Sequence, residues 1–342
     1  MKCPVCGGGC VASAHELIET LPSVFAPCPD CRLRILEKHL PPEDPVVSPI
    51  CSCGKRFIDD VFVHCWIILR EEGIFSGNEP LSAVGMPLVH PGFAMRLPPF
   101  LPHSSLVLLS RMVSGDTAKR LVSEVPEIRG VVRTGDFIPG ITDPDLRKPP
   151  KIYELLAGCD VRAGVFETPA GALVIYLEQS RLHIEFPREY NPKIESVSLS
   201  INKFSPQLFI DASCGAGTLG LSAARLGVRG VVMNDAWYAA AFWAAFNVMI
   251  NSEFLDIDTV RWHRNYDELK TLPIGDEPIL VADTTGTQQI SVYHGDMFRL
   301  HHVVKTDHSL TAIDLFNKKD KDAVDHALSI WRKHMAGEIL IP

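Results

Sequence analysis

Residues 208–221 read LFIDASCGAGTLGL, and no other stretch restricts the fold as much. An apolar run reaches Asp211, and Gly215 and Gly217 then open a helix that continues through Arg225. A second apolar run, 230–233, leads to Asp235. Strand, glycine turn, helix and strand in that order start a parallel α/β sheet of the Rossmann-like type. The glycines let the backbone come close to a ligand, while the helix start offers free N–H groups. An acid closing the second strand, about 20 residues past the glycine turn, suits the two hydroxyls of a ribose. Asp235 is therefore the expected ribose anchor. Asp211, Gly215 and Gly217 are expected to line the same ligand.

Two parses continue the sheet. In the favoured one, 290–299 (ISVYHGDMFR) supplies the third strand, with Asp296 and Met297 placed for a nucleobase. Residues 309–317 (SLTAIDLFN) then supply the fourth, ending at Asp314 over the reacting centre, and 252–289 is an insertion. A helix over 323–333 and a strand over 338–341 follow. In the other parse, 265–267 closes the third strand and 279–283 forms the fourth, so that Asp283 takes the place of Asp314. The fifth strand then ends the sheet on its C-terminal side. An uncovered C-terminal edge, a substitute from the N-terminal half, or an oligomer or partner covering that edge is therefore expected.

Ten cysteines occur in the 342 residues, and seven of them fall between Cys3 and Cys53. Clustering of this kind in a reducing compartment points to metal ligation. Cys3-x-x-Cys6 and Cys28-x-x-Cys31 are two knuckles able to supply four thiolates to a tetrahedral zinc, with an iron–sulfur cluster the weaker alternative. Cys51-x-Cys53 is a third knuckle that replaces one pair, or joins Cys10 and Cys65 or His64 in a second site. Cys65, Cys159 and Cys214 are expected to be free buried thiols. A closed four-cysteine site is structural, not catalytic.

The formal charge is −8, and no basic stripe of the kind that neutralises many phosphates is visible, which counts against tight nonspecific nucleic-acid binding. The apolar run 236–250 is too short to span a bilayer and reads as a helix buried on most sides. The N-terminus lacks the layout of a signal peptide, so no membrane association and a cytoplasmic location are expected. The organisation read from the sequence is a cysteine-rich module (1–66), a Pro-rich linker (67–104), a small α+β domain (105–205) and the ligand-binding α/β domain (206–342). Strands are expected at 107–109, 130–132, 172–177 and 181–186, and a helix at 117–124. Glu167, Arg188 and Glu195 flank the expected entrance, although each reads equally as a solvated surface residue. His294, His301 and His302 lack a metal spacing, and 318–321 (KKDK) reads as a solvated helix start. Trp237, Phe242, Trp243 and Phe246 read as core.

The segment IDASCGAGTLGL, with Asp235 and HGDMF after it, resembles class I S-adenosylmethionine (SAM) methyltransferases. Upstream, VPEIRGVVRTG, KIYELLAG and RLHIEFPREYNPKIES are similar to the linking domain and entry segment of tRNA guanine-N1 methyltransferases. The wybutosine-pathway aminocarboxypropyl transferases share that layout. The resemblance covers about 105–342. It implies SAM as cofactor, with Asp211 near its methionine end, and an RNA acceptor, tRNA in particular. One departure stands out: Asp314-Leu315-Phe316 replaces the Asn-Leu-Pro or Asn-Pro-Pro of that group and looks more like the motif of tRNA dimethylguanosine methyltransferases. Asp314 is accordingly the expected catalytic residue, holding an amino group of the acceptor. Transfer of the aminocarboxypropyl group, a protein or small-molecule acceptor, and a non-catalytic SAM-binding module are the competing readings.

Overall fold

The structure, a computed structural model, describes residues 1–141, 149–305, 308–316 and 318–342. Asn317, the last residue of the expected fourth-strand segment, lies outside them. Ser13 starts helix α1 (Ala14–Val24) with a capping box, its hydroxyl accepting the Glu16 N–H while Glu16 reaches back to the cap N–H. After the cysteine loops come β1 (Arg56–Phe57), α2 (Ile58–Glu71), β2 (Met86–Val89), β3 (Phe100–Leu101), β4 (Leu106–Ser110), α3 (Gly115–Glu124), β5 (Ile128–Arg133) and β6 (Glu154–Gly158). Strands β4 and β5 are parallel across α3, and β2 and β6 flank them antiparallel, giving the sheet order β2-β4-β5-β6. The Pro-rich stretch 67–104 is therefore no linker, because it holds the end of α2 and all of β2. Pro87 is tolerated there because β2 is an edge strand, where a missing N–H can face away from the ladder.

A hairpin follows, with β7 (Val161–Thr168) and β8 (Gly171–Glu178) antiparallel along their full lengths. The expected strand at 172–177 is part of β8, but its partner is β7 and not 181–186. Strand β8 has no room for the latter, because its other edge is occupied by two asparagines. Helix α4 (Pro192–Phe204) starts on an Asn191 cap, and the chain then enters β9 (Leu208–Asp211), α5 (Thr218–Arg225), β10 (Gly230–Asp235) and α6 (Tyr238–Ile250). Within α6, Asn247 Oδ1 accepts the Tyr176 N–H, and its Nδ2 donates to the Tyr176 and Ala216 carbonyls. One turn on, Asn251 treats the N–H and carbonyl of Val174 in the same way. The two side chains replace a missing strand and dock the hairpin on the helix.

The last part contains β11 (Ile257–Trp262), α7 (Tyr266–Thr271), β12 (Ile279–Gly286), β13 (Gln289–His294), β14 (Ser309–Ala312), α8 (Lys321–Trp331) and β15 (Glu338–Leu340). The seven-stranded order is β11-β12-β13-β10-β9-β14-β15. Strands β13, β10, β9, β14 and β15 are parallel, in the order third, second, first, fourth, fifth of a Rossmann-like sheet. The favoured parse describes this arrangement. Residues 252–289 are more than an insertion, since β11 and β12 extend the sheet antiparallel beyond β13. Asp283 sits on that outer hairpin, paired with Arg261 and His263, and not at the end of a fourth strand. Among the described residues, β15 has β14 as its one strand neighbour.

The cysteine-rich region does not fold as one module. Val11, Ala14 and Leu17 join a core with the hairpin, α4, α6 and the parallel sheet. Phe25 belongs instead to a core with α2, α3, β4 and β5. A buried pair, Arg56 Nε and Nη2 on Glu127 at 3.0 and 2.6 Å, ties the second cysteine loop's base to the four-stranded sheet.

Candidate functional site

The glycine turn lies at the carboxyl ends of the parallel strands, where ligands of such sheets bind. Asn234, fully buried, donates through Nδ2 to the carbonyls of Ala212 and Gly295, at 3.1 and 3.0 Å. It thereby ties the loops after β9 and β13 across β10. Gly215 and Gly217 have φ of +55° and +92°, the left-handed region where a side chain is strained. A Cβ on Gly215 would meet nothing within 4 Å, so the turn borders open space. A Cβ on Gly217 would approach Met233 Sδ at 3.1 Å, so this glycine serves close packing of α5.

Four acids, Asp211, Asp235, Glu185 and Asp314, surround this turn. Asp235 accepts the Gly215 N–H through Oδ2 and the Trp237 N–H through Oδ1, each at 2.8 Å, and is only half-buried. Asp211 accepts the Gly220 N–H at 2.9 Å through Oδ2, while its buried Oδ1 has no partner among the described residues. Burial pushes the Asp211 carboxyl up to about 8, helped by the charges of Asp314, Asp235 and Glu185. Burial likewise raises Asp235 to about 6 against the two backbone N–H groups that lower it. Asp314, just beyond β14, ion-pairs with Lys193 from the first turn of α4, and Lys318 Nζ lies 3.7 Å from its Oδ1. The Ser213 hydroxyl donates to the Asp314 carbonyl, linking the glycine turn to the end of β14. Asp296 caps the turn Met297–His302 by accepting the Phe298 N–H, with Met297 half-buried beside it.

Glu185 and Lys193 belong to this constellation and were not singled out from the sequence. Glu185 accepts the hydroxyl of Thr218, the first residue of α5, at 2.8 Å, and burial raises its carboxyl above the usual range. Both residues lie in the entry segment, where Glu185, Glu189 and Glu195 look alike in sequence and only the course of the backbone separates them. Glu167 and Arg188 are exposed, and Glu195 is half-buried in the first turn of α4. His294 is a satisfied core histidine, its Nδ1 3.2 Å from the Asp235 carbonyl.

The cysteines form two sets of four: in one, the third knuckle takes the place of Cys3 and Cys6, an arrangement the spacing allows, while the other was not expected. Cys28, Cys31, Cys51 and Cys53 converge, with Cys28–Cys51 and Cys31–Cys53 sulfurs each 3.5 Å apart. Cys3 and Cys6 join Cys10 and Cys159 instead of Cys28 and Cys31. Cys159 is therefore not an isolated buried thiol: it closes a set whose other members arrive from a turn far away in sequence. Cys65 is fully buried within α2, and His64 faces Arg56, so neither belongs to a set. The donors are all thiolate-capable sulfurs, within 4.8 Å of one another in each set, which suits a soft ion such as zinc.

Sheet order defines the fold class: an α/β chain with a Rossmann-like parallel domain, preceded by a smaller α+β unit and cysteine-rich loops. The chain is similar to Trm1 from Pyrococcus horikoshii, solved with S-adenosyl-L-methionine, at 19% identity and TM-score 0.32 over 44% of this chain and 36% of that one. It is similar to TYW2 from P. horikoshii, solved with MeSAdo, at 16% identity and TM-score 0.36 over 79% and 75%. A third similar structure is the M. jannaschii tRNA m1G37 methyltransferase, at 13% identity and TM-score 0.35 over 79% and 69%. The chain spans only 36% of that Trm1 and 54% of Trm5b from Pyrococcus abyssi. No protein-family profile matches the sequence, and no curated protein does. No helix among the described residues is long and apolar enough to cross a membrane.

Proposed function

We propose that this chain is a SAM-dependent methyltransferase acting on a nitrogen of RNA, with tRNA as the acceptor class. The observation that carries the cofactor is the charge of the crevice. Asp211, Asp235, Glu185 and Asp314 crowd the glycine turn, and Asp211 already takes the Gly220 N–H at the start of α5. In dinucleotide-binding folds such a helix start faces a pyrophosphate. Here a phosphate would meet carboxylates, whereas a ligand carrying a sulfonium and an ammonium matches them. The unpartnered Asp211 Oδ1 and the open space over Gly215 fit such a ligand.

When bound, SAM supplies an already activated methyl group, so the protein's work is mainly alignment. Asp235 would hold the ribose, Asp211 the ammonium, and Asp296 and Met297 the adenine. Asp314 would accept a hydrogen bond from the acceptor amino group and then its proton, taking the acceptor in exchange for Lys193. The RNA acceptor rests on the resemblance of residues 105–342. Cys28, Cys31, Cys51 and Cys53 would hold a structural zinc.

Transfer of tritiated methyl from SAM into fractionated RNA, protein and metabolites tests the reading. Label in RNA is expected, with turnover reduced about 10²–10⁴-fold in Asp314→Asn while SAM affinity stays nearly unchanged. Label in protein or metabolites would move the acceptor. SAM binding without any transfer would leave a non-catalytic module. A product mass increase of an aminocarboxypropyl group would change the group transferred.

A further inference from the structure

We infer that Cys3, Cys6, Cys10 and Cys159 form a second tetrathiolate metal site, one that locks the N-terminus onto the corner between the four-stranded sheet and the β7–β8 hairpin. Sulfur separations are 3.8 Å for Cys3–Cys159, 3.4 Å for Cys6–Cys10 and 3.6 Å for Cys10–Cys159. A tetrahedral zinc with Zn–S bonds of about 2.3 Å sets such separations at about 3.8 Å, far longer than a disulfide bond of about 2.05 Å. Sulfurs within 4.8 Å of one another surround a single ion and leave no room for the sulfide core of an iron–sulfur cluster. The shell is closed by protein ligands, so the ion is structural.

The backbone on both sides is built for this. Cys3 N–H donates to the Gly8 carbonyl and Gly7 N–H to the Cys3 carbonyl, with Gly7 at φ +70°, which folds the first knuckle. Opposite, Cys159 N–H donates to the Arg129 carbonyl at 2.8 Å. A Cβ on Gly158 would lie 2.2 Å from the Arg129 carbonyl oxygen, and one on Gly130 would lie 2.4 Å from that of Cys159. The two glycines let β5 and the corner interlock, which fixes where the Cys159 sulfur lies.

Charge supplies a separate argument. Four thiolates around a divalent ion carry a net charge of −2. Arg129 is buried, donates through Nη2 to the Cys10 carbonyl at 3.0 Å, and has no hydrogen-bond partner for Nε or Nη1 among the described residues. A buried guanidinium without a counter-charge is costly, and the dianionic site beside it provides one. The Ala12 N–H donates to the Tyr176 hydroxyl of β8 at 3.0 Å, a further tie next to the third ligand. Since β8 is held on α6 by Asn247 and Asn251, the ion lies at the root of a continuous path from the N-terminus to the parallel sheet.

Elemental analysis of the freshly purified full chain tests the site. Two zinc ions per chain are expected in the wild type and in Cys65→Ser, and one in Cys159→Ser and in Cys6→Ser. Cys6 is exposed, so Cys6→Ser retains the fold and decides the question if Cys159→Ser does not fold. Replacing zinc by cobalt(II) should halve the thiolate-to-metal absorption per chain in these two variants. Hydrogen exchange at residues 3–12 should be at least about tenfold faster in Cys6→Ser than in the wild type. One metal ion in the wild type, or two in Cys6→Ser, overturns the inference.

Discussion

At the scale of single residues, Asp211 has the strongest consequences. Its carboxyl is pushed up to about 8 by burial, against the ordinary carboxylate value it regains on unfolding. Between those values the folded state binds a proton that the unfolded state does not, so the stability of the free protein falls as pH rises through that window. The melting temperature without ligand should accordingly drop between pH 5 and 8, and Asp211→Asn should flatten that slope. An equally steep slope in the variant would remove Asp211 as its source. A cationic ligand favours the ionised carboxylate, so SAM binding should release protons. Its affinity should rise with pH by up to about tenfold per unit below the Asp211 value. Calorimetry in two buffers of different ionisation enthalpy reads the proton directly, and a binding heat independent of buffer would contradict the assignment. Asp235→Ala should weaken SAM by about 1.5–3 kcal/mol, the scale of a hydrogen bond to a charged group. It should also loosen the glycine turn, because Gly215 and Trp237 lose their acceptor.

At the scale of elements, the asparagine pair on α6 carries more than its composition suggests. Asn247→Ala would leave the N–H and carbonyl of Tyr176 and the Ala216 carbonyl without partners in a dry core, at a cost of about 2–4 kcal/mol in urea unfolding. A change below about 0.5 kcal/mol would mean that the hairpin is held by packing alone. This docking also explains which elements the sequence disclosed. Periodicity and the glycine turn give away β9, α5, β10 and α6, because those elements satisfy their backbones locally or in a parallel ladder announced by apolar runs. The strand at 181–186 had the right alternation but no edge to join, since Asn247 and Asn251 had taken it. Strand β2 was hidden by Pro87, a signal for loops that an edge strand can absorb. The Cys3, Cys6, Cys10 and Cys159 set was hidden for another reason: knuckle spacing shows which residues share a turn, while Cys159 is brought to its set only by the interlocking of Gly130 and Gly158. Glu185 and Lys193 depend on the path of an irregular segment, for which sequence has no period.

At the scale of the whole molecule, the N-terminal residues are structural parts of the α/β domain and not an appended tag. Helix α1 lies against β8, and Val11, Ala14 and Leu17 are buried in the core that continues to Phe209 and Trp243. Deleting residues 1–24 would expose that face of the hairpin and remove three ligands of the Cys159 set. Truncating one buried leucine to alanine already costs about 2–5 kcal/mol. Losing Leu17 and Val11 together with the helix that carries them approaches the whole net stability of a domain, about 5–15 kcal/mol. The chain 25–342 should therefore either fail to accumulate in soluble form or melt well below the full protein. Its SAM affinity should fall as well, because the Tyr176 backbone that positions Asn247, and through it Ala216 of the glycine turn, loses its outer support. Circular dichroism melting and calorimetry on the two chains provide the comparison. Equal melting temperatures and equal SAM affinity would show that the parallel sheet stands alone and that the joint at Cys159 serves only the N-terminus.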